Sequence, residues 1–234
     1  MVFEMLDLAS FESIRDFAHR IKEQYPKFDC IINNAGLAVR SKQYTMEGYE
    51  IHCGVNHLGH FLLIDLLKDV IKDNNTRVVV VSSRVHESGK IDFDNLGKYI
   101  ETPPARRRNP YYNNSKLMNF YFARELYTRG FNVHVLCPGL CHTDFFRDYN
   151  PKFYHYILFA PVVWLMLRSA EQGAQNIIYC ATDNVNTGEK NPSTGYYVRS
   201  LKQTKSKANF NDEIGERLWN ESIKMCSKTI NDLN

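Results

Sequence analysis

The stretch NPYYNNSK, Asn109 to Lys116, sets two adjacent tyrosines just ahead of a lysine. Residues four apart on a helix share a face, so Tyr112 and Lys116 project together, while Tyr111 is turned by about 100 degrees. A free phenol titrates near ~10, too high for ready proton exchange at neutral pH, and a cation within about 4–6 Å lowers that value by roughly 1–3 pH units. Tyr112 beside Lys116 is therefore a candidate proton donor or acceptor, and Tyr111 reads as a packing neighbour. A hydroxyl from a nearby strand end would hold a substrate carbonyl oxygen while the phenol gives or takes a proton. Ser83, the second hydroxyl of Ser82-Ser83, is placed for this, and Ser82 reads as strand-end packing. Alone, a tyrosine and lysine at this spacing usually mean packing plus a solvated charge, so the elements around them decide.

Those elements alternate. Val2 to Leu8, VFEMLDL, reads as a strand, and Ser10 as the N-cap of a helix with Phe11, Ile14, Phe17 and Ile21 on one face, closed by Pro26. FDCIINNAG is a short apolar strand ending in Asn33-Asn34-Ala35-Gly36, small and polar residues that let backbone approach a ligand. A long helix is expected from Met46 to Lys72, then a buried β-branched strand, RVVVVSS, from Arg77 to Ser83. A helix from Pro110 to Arg129, stopped by Gly130, leads into the strand NVHVLCPG. The last third adds a helix from Ala170 to Ala181, a strand from Gly195 to Ser200 and a helix from Asp212 to Cys226. Alternation of this kind predicts an α/β domain around a parallel sheet, whose strand ends collect Asn33-Asn34, Ser82-Ser83 and Pro138-Gly139 leading to Thr143.

The 234 residues form one unit, 1–234, with the composition of a globular protein; the net charge of +3 is too small to point to nucleic acid. Arg106-Arg107-Arg108, among prolines, reads as a solvated loop. The six cysteines show no CxxC pair, which fits a reduced compartment. Cys137, Cys141 and His142 have the wrong spacing for haem attachment and no distant partners for zinc, so no metal is expected. Tyr154 to Leu167 is the most apolar stretch; it is too short to cross a membrane and is interrupted by Pro161, which leaves core packing or a ligand lid.

Taken together, LDLAS, NNAG, VNHLGHFLL, VVVVSS, YNNSKLMN, CPGLCHT, GAQNIIYCATD and RLWNES, in this order along nearly the whole chain, resemble the short-chain dehydrogenases/reductases, and more narrowly their retinol dehydrogenase-like branch. The resemblance implies a Rossmann-like doubly wound parallel sheet and a catalytic set at Asn56, Ser83, Tyr112 and Lys116. Tyr112 is then the general acid/base and Lys116 lowers its pKa and holds the nicotinamide ribose. Ser83 hydrogen-bonds the substrate oxygen, and Asn56 keeps a water that links Lys116 to solvent. The same resemblance puts Asp7 and Leu8 at the adenine, Asn34, Ala35 and Gly36 along the adenosine ribose, and Pro138, Gly139 and Thr143 at the nicotinamide. Asp7 as a helix cap, Thr143 as an N-cap and Asn56 as a buried helix amide are alternatives that the residues themselves leave open.

The family's phosphate-binding TGxxxGxG turn has no counterpart: none of the 12 glycines stands two positions from another, and only six residues precede Asp7. The expectation is an N-terminally truncated domain of about five strands instead of seven, with weakened dinucleotide binding and a sheet edge that invites self-association. Two functions follow. One is an NAD- or NADP-dependent enzyme, its nucleotide preference undetermined, interconverting a small lipophilic alcohol and its aldehyde or ketone. The other is a catalytically impaired shortened isoform or fragment. The implied location is the cytoplasm, or the cytosolic face of the endoplasmic reticulum for a full-length protein, with no transmembrane segment in this chain.

Overall fold

The computed structural model describes residues 2–101, 110–139, 141, 169–183, 185–186 and 188–227. Thr143, the triple arginine and the apolar stretch Tyr154 to Leu167 lie outside them. The chain opens with α1, Phe11–Gln24, where the Ser10 hydroxyl accepts the Ser13 N–H at 3.2 Å, the N-cap expected from sequence. Strand β1, Cys30–Asn33, follows. The long helix begins later than its apolar pattern suggested. Glu50 caps a single turn, Ile51–Cys53, by accepting the N–H groups of His52 and Cys53 at 3.1 and 3.0 Å. A π-helical turn, Gly54–Leu58, comes next, and only then the regular helix α2, Gly59–Asp73.

Strand β2, Arg77–Val81, helix α3, Pro110–Thr128, and strand β3, Val133–Cys137, match their predicted positions. Gly130, at φ +81°, takes the left-handed conformation that ends α3. Helix α4, Ala170–Thr182, strand β4, Tyr196–Arg199, strand β5, Lys202–Lys205, and helix α5, Asp212–Ser227, complete the described residues.

The sheet order is β1-β2-β3-β4-β5, parallel through β4 with β5 antiparallel at the far edge. Five strands were expected, but not these five. Val2 to Leu8 forms no strand, and Val2, Phe3 and Met5 stay 69%, 84% and 70% exposed. Extended backbone becomes a strand only when a neighbour takes its N–H and C=O groups, and β1, the edge strand, pairs on its one side with β2. The short KQTK segment, to which the sequence pattern assigned no element, pairs its backbone with β4 while its lysines face solvent at the edge.

Alternation along β2 divides the interior. Val78 and Val80 join the large core under α1, α2, α3 and α5, whereas Val79 and Val81 face a smaller cluster with Leu136, Cys180, Val185 and Val198 beneath α4. Helix α3 is buried on all sides from Ser115 through Leu126. Among the described residues no helix is long and apolar enough to cross a membrane.

Candidate active site

Four elements converge at the carboxyl ends of β1, β2 and β3. The π turn carries Asn56, fully buried, whose amide holds the loop after β1: Oδ1 accepts the Leu37 N–H at 2.8 Å and Nδ2 donates to the Leu37 carbonyl at 3.0 Å. Asn56 Nδ2 also donates to Ser115 Oγ at 3.0 Å, and Ser115 donates to the Tyr112 carbonyl at 2.8 Å. The wider turn of a π segment, found often at functional sites, gives this asparagine two backbones to bind at once. Its role as a buried, backbone-bonded amide is therefore real, and it is also physically joined to the helix of Tyr112.

Lys116 is 4% exposed and donates to the Val81 carbonyl at 3.1 Å; its ammonium lies 5.7 Å from the centre of the Tyr112 ring. Ser82 donates to the Lys116 carbonyl at 2.7 Å, which fastens the end of β2 to α3, the packing role expected of it. Ser83 hydrogen-bonds the Tyr112 phenol, bringing the expected pair together. Tyr111 points away from them: its hydroxyl meets the backbone N–H and carbonyl of Ile100 at 2.6 and 2.5 Å, and its ring stacks on Tyr99 at 5.2 Å.

The electrostatics differ from the sequence expectation. Burial holds the Tyr112 phenol above its ordinary range, the Ser83 hydrogen bond acts downward, and the buried Cys137 acts upward. Burial also lowers Lys116 to about 8. A cation can depress a neighbour's pKa only while it keeps its own charge, and the dry setting that brings Lys116 close to Tyr112 weakens that charge. Helical spacing predicts the proximity and not the desolvation.

Asn34, Ala35 and Gly36 are exposed on the loop after β1, and a methyl on Gly36 would come within 3.1 Å of Asn56 Oδ1 and 3.5 Å of Lys116 Nζ. The Gly36 backbone thus borders the lysine, and a ribose hydroxyl could accept one of the ammonium's remaining protons there. Asn33, one of the polar residues expected at this strand end, closes β1 with its buried Nδ2 lacking a partner among the described residues. Pro138 and Gly139 follow Cys137, whose thiol accepts the Arg84 N–H at 3.2 Å beside the Ser83 turn. These features fit the nicotinamide and ribose portion of a dinucleotide.

Asp7 and Leu8 sit apart from this group. Asp7 Oδ1 accepts the Ala9 N–H at 2.8 Å in the turn before α1, which is the capping arrangement. Leu8 is buried against α2, its carbonyl 2.9 Å from where a methyl on Gly59 would lie. Cys141 lies over Gly173, and among the described residues no group of three or more His, Cys, Asp and Glu side chains could hold a metal ion.

Sequence reading also missed a buried pair next to the tyrosines. His52 Nδ1 donates to Glu50 Oε1 at 2.5 Å and its Nε2 accepts the Val39 N–H at 3.1 Å, with the ring 6.4 Å from Tyr111 and 6.5 Å from Tyr112. Asn56 and His52, one turn apart, thus hold alternate residues of the loop after β1. Glu50 is only two residues from His52, but no spacing pattern reveals that both would be buried.

A family model described as short chain dehydrogenase matches residues 1–95. The chain is 35% identical over 231 residues to retinol dehydrogenase 14 of Homo sapiens, covering 96% of this chain and 66% of that protein. It is 36% identical over 228 residues to retinol dehydrogenase 13 of Homo sapiens, with 94% and 67% covered. The chain thus spans about two thirds of the length of these relatives. A solved structure of an uncharacterised protein from Mycobacterium paratuberculosis superposes with a TM-score of 0.64 at 26% identity, covering 97% of this chain and 76% of that one.

Proposed function

Because the chain belongs to the short-chain dehydrogenase/reductase family, in its retinol dehydrogenase-like branch, we propose that it interconverts a lipophilic alcohol and its aldehyde or ketone, with Tyr112 as general acid/base. The observation that carries this is the convergence of Ser83, just past the end of β2, with Tyr112 and Lys116, one turn apart on α3, within a single hydrogen-bonded neighbourhood. A nicotinamide dinucleotide, NADP or NAD, supplies or accepts the hydride when bound. Lys116 would hold its nicotinamide ribose, Asn34, Ala35 and Gly36 would line the adenosine ribose, Pro138, Gly139 and Thr143 would border the nicotinamide, and Asp7 and Leu8 would meet the adenine.

Tyr112 donates its proton to a carbonyl oxygen that Ser83 also hydrogen-bonds. Burial keeps the phenol protonated through the neutral range and the Ser83 hydrogen bond acts against that rise, so Tyr112 holds the proton that it passes to the substrate oxygen in reduction and takes back in oxidation. Lys116, while charged, stabilises the negative charge that develops on the phenol oxygen, and Asn56 fixes the helix and loop between which this occurs. The names of the relatives point to an isoprenoid alcohol such as retinol, and the apolar composition of Tyr154 to Leu167 suits such a substrate. Six free cysteines support a reducing location, the cytoplasm or the cytosolic face of the endoplasmic reticulum.

The test is nucleotide fluorescence with NADPH and NADH, followed by turnover of retinal, farnesal and a simple aromatic ketone. Weak dinucleotide binding and reduction lost in Tyr112→Phe are expected; micromolar binding would overturn the weakening drawn from the missing phosphate-binding turn, and turnover that survives Tyr112→Phe, or reaction with polar sugars alone, would overturn the reading. A second reading, a poorly active form that self-associates, rests on the open edge of β1, where Ile32 is 44% exposed. It predicts no turnover with either nucleotide and a particle larger than a monomer.

A further inference from the structure

Ser83 caps the short 3-10 turn Arg84–Ser88, and three residues on, within that turn, lies a histidine that the proposed chemistry does not use. His86 is 1% exposed, its ring packed on Phe120 of α3 at 4.7 Å, against Tyr197 of β4 at 5.3 Å and near Phe210 at 6.3 Å. Both ring nitrogens are engaged at 2.6 Å, Nδ1 with the Ser83 carbonyl and Nε2 with the Ser206 hydroxyl. A carbonyl oxygen can only accept, so the proton sits on Nδ1 and Nε2 is the acceptor. Ser206 also accepts the Ala208 N–H at 3.0 Å, which leaves its single proton for the imidazole. Burial keeps the ring neutral, in keeping with that assignment.

We infer that His86 is a positioning residue: the chain Ser206 to His86 to the Ser83 carbonyl fixes the Ser83 peptide and so aims the Ser83 hydroxyl at Tyr112. The inference rests on the site reading above, in which that hydroxyl holds the substrate oxygen. Without the imidazole, the Ser83 carbonyl keeps the His86 backbone N–H at 3.0 Å but loses its shorter side-chain donor, and the approach of the Val85 N–H to the hydroxyl, at 3.5 Å on the same turn, is too long to aim it at Tyr112 in its place. The inference also makes the segment after β5, 120 residues from His86, part of the active-site scaffold.

Two isosteric changes separate this role from mere filling of space. Asparagine at 86 can present its amide donor near the Nδ1 position, whereas glutamine reaches toward the Nε2 position. In protein carrying [13Cζ]tyrosine at pH 7, the Tyr112 signal is assigned by its loss in Tyr112→Phe, and Ser83→Ala gives its position without the Ser83 hydroxyl. His86→Gln moves the signal toward the Ser83→Ala position, and His86→Asn leaves it near wild type. Where turnover is measured, His86→Gln lowers kcat by roughly 10- to 100-fold with little change in KM for the dinucleotide. A signal that Ser83→Ala moves and His86→Gln does not would overturn the clamp and leave the site reading standing. A signal that neither change moves would overturn both, and turnover surviving Tyr112→Phe would overturn the site reading. Long-range 1H–15N spectra of the unmodified chain supply a measurement that needs no variant: the His86 proton on Nδ1 is expected, and an Nε2–H or imidazolium pattern at pH 7 sinks the inference.

Discussion

At the residue scale, Lys116 sits where burial opposes the charge its role requires. The unfolded chain binds this proton near the ordinary 10.5 and the folded chain near about 8, so the cost of burying the ammonium is fully present below about 8 and is relieved as pH rises toward 10.5. That interval corresponds to roughly 3 kcal/mol, of which the bond to Val81 returns about 1. Lys116→Met should therefore abolish turnover and yet stabilise the fold at pH 7 by up to roughly 2 kcal/mol, an advantage that shrinks by pH 9.5; urea midpoints at the two pH values check it. In the unchanged chain, loss of the ammonium above about 8 removes support for charge on the phenol oxygen, so reductive kcat should fall as pH rises through that value. The two tyrosines should separate cleanly. Tyr112→Phe removes the proton donor and costs at least about 100-fold in kcat. Tyr111→Phe leaves turnover in place and costs about 1 kcal/mol of stability, because it removes the hydroxyl that bonds the Ile100 backbone. Spacing alone made this distinction readable in NPYYNNSK. The direction of the Tyr112 shift was not readable, since no spacing pattern reports how dry a lysine will be.

At the element scale, the π turn depends on what its glycine avoids. A methyl on Gly54 would lie 2.1 Å from Thr45 Cγ2, so Gly54→Ala should destabilise by about 1–3 kcal/mol. Thr45→Ser keeps the hydroxyl that accepts the Tyr49 N–H and removes the offending methyl. The double variant should recover most of the loss in thermal melting, and if it does not, crowding at Thr45 is not what the glycine relieves. Helices and buried strands were legible because their apolar periods are set by their own geometry: the Ser10 cap, the valine run of β2 and the Gly130 stop all stand as read. The π turn was invisible because one extra residue per turn leaves the leucine pattern of Leu58, Leu62 and Leu66 intact. Val2 to Leu8 misled for the opposite reason: its side chains suit a strand, but a strand is made by its neighbour. His86 went unseen because its meaning lies in Ser206, brought close only by the fold, and the Glu50–His52 pair because its two neighbouring residues carry no sign of their burial.

At the scale of the whole molecule, the sheet has one guarded edge and one open one. Strand β5 ends in lysines at both termini, whereas β1 is four residues long with Ile32 exposed. Sedimentation velocity over a concentration series should show association that Ile32→Lys reduces; equal behaviour of the two proteins would place the contact elsewhere. The helix that carries Tyr112 and Lys116 lies at the other extreme, enclosed on every side from Ser115 through Leu126. Amides in that span should exchange with deuterium only through global opening, so the proton-donating pair has no small local fluctuation by which to loosen. Heat inactivation and loss of fold should accordingly share one temperature, because the chain cannot lose the geometry around Tyr112 without giving up its core.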